Sequence, residues 1–177
     1  MTLAERWAAA EPFPSWCART VKYHDLWTSL RARAAVAPGL QDRARALAHR
    51  WRLLVLTEDW CGDAVNTLPT LARLADLVPE RLELRCLARD RNLDLMDEHL
   101  TSGARSIPKV LGIDAHWTVR ATWGPRPAEL QAWVYGEGRR LVKEERYKHV
   151  RGWYARDRGT STVGELLTAL ETAAPAA

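Results

Sequence analysis

The chain has 177 residues, 47% of them hydrophobic and 27% charged, with 26 basic and 22 acidic side chains. That length suits one domain with a core of its own, and a net charge of +4 does not call for a nucleic-acid partner. The run Leu53-Leu54-Val55-Leu56 is too short to span a bilayer, the first ten residues lack an apolar signal core, and three widely spaced cysteines argue against a disulfide framework, so the expected location is the cytoplasm.

Thr2 and Glu5 have capping-box spacing, and a short helix is expected after them, broken by Pro12 and Pro14. Asp25 to Val36 reads as a helix with Leu26, Trp27 and Leu30 on one face, Pro38-Gly39 as a turn, and Gln41 to Arg50 as a further helix. The pattern changes at Trp51 to Leu56, a short apolar run of the kind that forms a strand buried on both faces. Ala64 to Leu77 has helical apolar spacing with Pro69 as an internal kink. Arg81 to Arg89 reads as a strand with Leu82, Leu84, Cys86 and Ala88 on one face, and Asn92 to Leu100 as a helix. Lys109 to Ile113 and His116 to Thr122 read as a hairpin with Asp114-Ala115 at its turn. One long helix is expected from about Ala128 to about Arg156. A last helix starts at Thr160 to Thr162, where Thr162 and Glu165 have capping-box spacing, and the tail from Ala173 to Ala177 is expected to fray. Alternating strands and helices followed by a hairpin give an α/β class: a mixed central sheet with helices on both faces. The expected organisation is a single domain, with a helical extension over 1–50, a core over 51–135 and C-terminal helices over 136–177.

Trp60-Cys61-Gly62-Asp63 lies where a strand ends and a helix begins. Free backbone N–H groups there favour a negative charge, so a cysteine in that place forms its thiolate, the nucleophile toward disulfides, more readily. Gly62 lets a substrate backbone approach closely. No Cys-x-x-Cys pair is present and the five histidines show no ligand spacing, so no metal site is expected. The stretch 137–158 has eight basic and four acidic side chains interleaved with Tyr147, Trp153 and Tyr154, and reads as a solvated helix with its aromatic residues on the core.

From about Trp51 to about Trp133 the chain resembles the thioredoxin family. Trp60-Cys61-Gly62 matches the start of that family's active-site motif, Pro69 its helix kink, Ser106-Ile107-Pro108 its cis-proline loop, and Gly124 the glycine lining its substrate groove. Trp60 to Ala64, with Trp123-Gly124-Pro125-Arg126-Pro127, is similar to a group of little-characterised bacterial thioredoxin-like proteins carrying Trp-Cys-Gly-Asp-Ala. The resemblance implies a thioredoxin-like fold with extra terminal helices, and a groove at the cis-proline loop that holds an extended substrate segment. Glu58, Asp59, Trp60 and Arg126 would rim it.

The departures shape the chemistry. The resolving-cysteine position is Ala64, the family's buried aspartate is Val55, and its buried lysine aligns with Cys86. A mixed disulfide at Cys61 must therefore be resolved by an external thiol or by another cysteine. Cys86 is either a buried resolving thiol or a small core residue. Asp63 opposes the thiolate while the helix terminus favours it, by comparable amounts; it is either a general acid or base or a stabiliser of the first helical turn. Arg126 binds a carboxylate or phosphate of a small thiol, or forms a surface ion pair. The expected function is a monothiol redox protein in which Cys61, Asp63 and Pro108 carry the chemistry and Trp60, Gly62, Ile107, Gly124 and Arg126 hold the substrate. Its partner is a disulfide-containing protein or a small thiol, and it needs no resident cofactor. The alternative is a non-catalytic module that binds an extended peptide or a partner protein in the same groove.

Overall fold

The computed structural model describes residues 1–173, so the expected fraying of the tail falls outside the described residues beyond Ala173. The chain opens with α1 (Leu3–Ala9), and its capping box is formed in both directions: Thr2 Oγ1 accepts from Glu5 N, and the Glu5 carboxylate accepts from Thr2 N at 2.8 Å. A short strand β1 (Glu11–Pro12) follows, then α2 (Phe13–Ala18), α3 (His24–Arg33) and α4 (Pro38–Arg45). The core elements are β2 (Trp51–Thr57), α5 (Gly62–Leu77), β3 (Leu82–Ala88), α6 (Leu93–Asp97), β4 (Lys109–Ile113) and β5 (Val119–Trp123). Three helices close the chain: α7 (Ala128–Tyr135), α8 (Lys143–Asp157) and α9 (Thr160–Thr172).

The strands form one mixed sheet in the order β1-β3-β2-β4-β5. β2 pairs in parallel with β3 and antiparallel with β4, and β4 pairs antiparallel with β5. β2 is central, and every residue of it except Arg52 is buried, which is what its continuous apolar run requires. Arg52 lies over the Trp117 ring at 4.2 Å. The parallel β2–α5–β3 unit delivers the end of β2 and the start of α5 to one edge of the sheet. α5 is buried along most of its length, Pro69 included.

Several elements differ from the sequence expectations. The N-terminal segment is not purely helical: Glu11 and Pro12 add an antiparallel edge strand, with Glu11 opposite Cys86. Pro38 and Gly39 start α4 rather than turn ahead of it, because proline's fixed φ suits the first helical position. That helix stops at Arg45, and α6 spans only five residues. The hairpin loop is longer than two residues: Asp114 Oδ1 accepts from the backbone N–H of both His116 and Thr118 at 2.9 Å, which delays β5 to Val119. The long C-terminal helix is broken at Gly136, whose ψ of −102° leaves the helical region, and a 3-10 turn (Glu137–Arg140) separates α7 from α8. Thr162 does not cap the last helix. Gly159 does, and Glu165 instead accepts from Trp123 Nε1 at 3.0 Å and Ala128 N at 2.8 Å, tying α9 to the end of β5 and the start of α7.

The tryptophans fasten the N-terminal helices. Trp27, fully buried, packs edge-on against Trp16 at 4.7 Å and Phe13 at 6.2 Å, and its Nε1 donates to the Asp59 carbonyl at 3.0 Å, two residues before Cys61. A smaller apolar cluster of Leu130, Val150, Trp153 and Tyr154 packs α8 against α7.

Candidate active site

Cys61 is the N-cap residue of α5, in extended conformation, and its sulfur accepts from the Ala64 N–H at 3.4 Å. The thiol also donates to the Ile107 carbonyl at 3.3 Å. The Ile107–Pro108 bond is cis, so Cys61 sits directly against the bent loop that leads into β4. Gly124 lets the end of β5 lie against that loop: its φ is +112°, and a Cβ there would lie 2.2 Å from the Pro108 carbonyl oxygen. The Gly124–Pro125 bond is also cis, a feature that no sequence expectation covers.

Asp63 faces inward rather than standing as an exposed helix-turn carboxylate. Its side chain is 12% exposed, its Oδ2 pairs with Arg126 Nη2 at 2.6 Å, and its Oδ1 accepts from the Tyr154 hydroxyl at 3.0 Å. Arg126 Nη1 in turn donates to Gln131 Oε1 at 2.9 Å. Three separate parts of the chain thus meet beside the sulfur: the first turn of α5, the loop after β5, and α8.

The electrostatics follow from this packing. Cys61 is 7% exposed, and burial, reinforced by the Asp63 carboxylate, pushes its thiol up to about 11. The N–H groups of Ala64 and Asp63 and the Arg126 guanidinium pull the other way without overcoming it. Burial likewise raises Asp63, against the pull of Arg126 and Tyr154. The Tyr154 hydroxyl, buried beside that carboxylate, is pushed up and acts as a neutral donor. The opposing contributions at Cys61, balanced when read from sequence, are decided here by desolvation.

A cavity of about 440 Å³ opens over the sulfur. Of the residues singled out from sequence, Trp60, Cys61, Gly62, Asp63, Ile107 and Arg126 line it. Pro108 and Gly124 do not line it; Pro108 follows the lining residue Ile107, and Gly124 packs against Pro108. Cys86 does not line it: it is 1% exposed, paired in register with Val55 and Glu11, and burial pushes its thiol far up. Glu58 and Asp59 do not rim the cavity either. Glu58 accepts from Asp90 N at 2.8 Å, and Asp59 accepts from Val21 N and Lys22 N, both at 2.9 Å. Sequence reasoning missed Tyr154 as a site residue, along with the cavity walls from both extensions: Tyr23 and Leu26 on one side, and Arg146, Tyr147, Val150 and Arg151 of α8 on the other. Tyr154 belongs, by its local pattern, to a basic stretch with interleaved aromatic residues, and nothing in that pattern names Asp63 as its partner.

A parallel β–α–β unit, an antiparallel hairpin, a cysteine capping the intervening helix and a cis-proline loop facing that cysteine define a thioredoxin-like protein. The sequence matches the family model described as Thioredoxin over residues 13–148, and the chain belongs to that family. The match reaches well beyond residues 51–133 and takes in most of the N-terminal extension. No curated protein matches the chain. Among solved structures, a Pseudomonas aeruginosa protein of unknown function is similar, with a TM-score of 0.77 and 23% identity, covering 98% of this chain and 99% of its own. An HIV epitope-scaffold is similar too, with a TM-score of 0.78 and 21% identity, over 98% of this chain and 100% of its own. At these identities the likeness establishes the fold alone.

Proposed function

We propose that the protein carries out monothiol thiol–disulfide exchange at Cys61. The observation that carries this reading is the sulfur's position: held between the N-terminus of α5 and the Ile107 carbonyl, and lining a cavity large enough for a small ligand. With the thiol near 11, only about one molecule in ten thousand holds the thiolate at pH 7, so the proton must leave as part of the reaction. Asp63, two residues on from Cys61, is the group assigned to take it by way of a bridging water, since its oxygens rest on Arg126 and Tyr154 and the thiol points to the Ile107 carbonyl. The Cys61 proton passes to Asp63 and the sulfur attacks one sulfur of a bound disulfide. That disulfide's S–S bond breaks, a Cys61–S–S–R bond forms, and the departing thiolate collects the proton as R–SH. Cys61 is oxidised and the incoming disulfide reduced. A free thiol R′–SH then attacks the R sulfur of the mixed disulfide: the Cys61–S–S–R bond breaks, R–S–S–R′ leaves, and the departing Cys61 sulfur takes the proton, since Ala64 offers no sulfur and Cys86 is read as a core residue.

The burial of Cys61 favours a second reading, a binding module in which the thiol serves packing alone. One experiment separates the two. The native protein is incubated with oxidised small thiols and with peroxide, and intact mass is measured alongside Cys61→Ser. A single adduct, absent in Cys61→Ser, is expected. No adduct at any cysteine would leave the binding module, and a Cys61–Cys86 bond would restore a two-thiol cycle.

A further inference from the structure

The walls of the cavity carry a charge pattern that the exchange chemistry does not require. Arg89, Arg105, Arg126, Arg146 and Arg151 all line it, against one carboxylate, Asp63. Three of the five are engaged. Arg89 pairs with Asp90 at 2.7 Å, Arg105 with Asp97 at 2.6 Å, and Arg126 with Asp63 at 2.6 Å. Even so, the Arg126 Nε is buried with no acceptor among the described residues. Arg146 and Arg151 form no ion pair among the described residues. Their own helix cannot neutralise them: the positions three and four residues from Arg146 are Val142, Lys143, His149 and Val150, and those from Arg151 are Tyr147, Lys148, Tyr154 and Ala155. None is acidic, so α8 presents two uncompensated guanidinium groups to the space above Cys61.

The same helix changes the shape of the site. An open groove along a cis-proline loop suits an extended peptide. Here α8 brings Arg146, Tyr147, Val150 and Arg151 to the far wall, while Tyr23 and Leu26 of the N-terminal segment lie among the other lining residues. What remains is about 440 Å³, within the range of small-ligand sites.

Resting on the exchange reading above, we infer that the cavity selects a low-molecular-weight disulfide bearing carboxylates, bound through Arg146 and Arg151 so that its sulfur meets Cys61. Planar guanidinium groups suit carboxylate recognition, and two of them at the wall bias encounter toward an anion over a cation.

The test measures rates of mixed-disulfide formation at Cys61 by intact mass with three probes: oxidised glutathione (anionic), 2-hydroxyethyl disulfide (neutral) and cystamine (cationic). Each rate is divided by the rate of the same probe with free 2-mercaptoethanol, which removes intrinsic reactivity. At low salt the normalised preference for oxidised glutathione over cystamine is expected to be at least about tenfold, the scale of two exposed charge contacts. It should fall to within about twofold in the Arg146→Ala/Arg151→Ala variant and in 0.5 M salt. Because the readout is a ratio within one protein, a change in Cys61 reactivity cancels. A normalised ratio near one in the unmodified protein, or a preference that survives the double variant, would overturn the inference while leaving the exchange reading intact. Faster reaction with a disulfide-linked neutral peptide than with any small probe would overturn it in favour of a peptide substrate. Failure to react with every probe would overturn the exchange reading itself, and this inference with it.

Discussion

Replacing Asp63 by asparagine probes the electrostatic core of the site, because the carboxylate's charge disappears while its shape remains. In the native protein Asp63 pairs with Arg126 at 2.6 Å and is the second-largest cause, after burial, of the raised Cys61 thiol. Like charges roughly 5–8 Å apart, at an effective dielectric of about 20, repel by roughly 2–3 kcal/mol, or about two pH units. In Asp63→Asn that opposition is gone and the Arg126 guanidinium is left facing the sulfur, whereas the desolvation is unchanged. The Cys61 midpoint should therefore fall from about 11 to about 9. Thiolate absorbance at 240 nm, read as the difference from Cys61→Ser, gives that midpoint directly. Iodoacetamide labelling gives it as a pH–rate profile. At pH 7.5 the thiolate fraction rises about a hundredfold, but a less basic sulfur is a weaker nucleophile, so the labelling rate should rise only about tenfold. A midpoint within half a unit of the wild-type value would refute the reasoning. It would mean that Asp63 is already neutral in the resting protein, and that the contact with Arg126 is a hydrogen bond rather than an ion pair.

Two further outcomes follow from the same geometry. Gly124→Ala places a Cβ 2.2 Å from the Pro108 carbonyl oxygen at a φ of +112°, so the cis-proline loop must shift; a loss on the order of 3 kcal/mol is expected, read as a fall in Tm of about 6–12 °C. Burial of Cys61 also predicts a pH dependence of stability. Between pH 9 and 11 the unfolded thiol ionises while the folded one holds its proton, so the unfolded state binds fewer protons and stability falls as pH rises. The gap between 9.0 and about 11 amounts to about 3 kcal/mol, present in urea unfolding of the wild type and missing from Cys61→Ser.

What the sequence made legible was what neighbouring residues decide. The apolar run at Trp51 to Leu56, the helical spacing from Ala64 and the alternation through Leu82, Leu84 and Cys86 each encode their own burial, and β2, α5 and β3 fall where those patterns lie. The capping box at Thr2 and Glu5 is equally local, and it forms. The same spacing at Thr162 and Glu165 misled, because Glu165 is drawn to Trp123 and Ala128, partners 42 and 37 residues away. The break at Gly136 carries a local signal, two glycines at 136 and 138 in a helical pattern, and the expectation of one long helix passed over it. Within the site, Cys61 and its facing proline could be read from a family motif. The contacts of Asp63 could not: Tyr154 lies 91 residues on, in a helix whose charges pointed only to solvent.

The placement of that one carboxylate gives the C-terminal helices a purpose that packing alone does not. In the family pattern the ionisable group behind the cysteine would stand at Val55 with its partner at Cys86, and in this fold those two residues are register neighbours, both buried and uncharged. An acid at Val55 would sit under the sulfur and be held by the sheet. Asp63 lies instead in the first turn of α5, where burial disfavours its charge unless cations and donors are brought to it. Arg126, from the loop after β5, and Tyr154, from α8, are those groups. Moving the acid from strand to helix thus brings α8 into the polar network beside Cys61. The same helix carries Arg146 and Arg151 to the cavity wall, so the element that donates a hydrogen bond to Asp63 also sets the charge of the wall over Cys61.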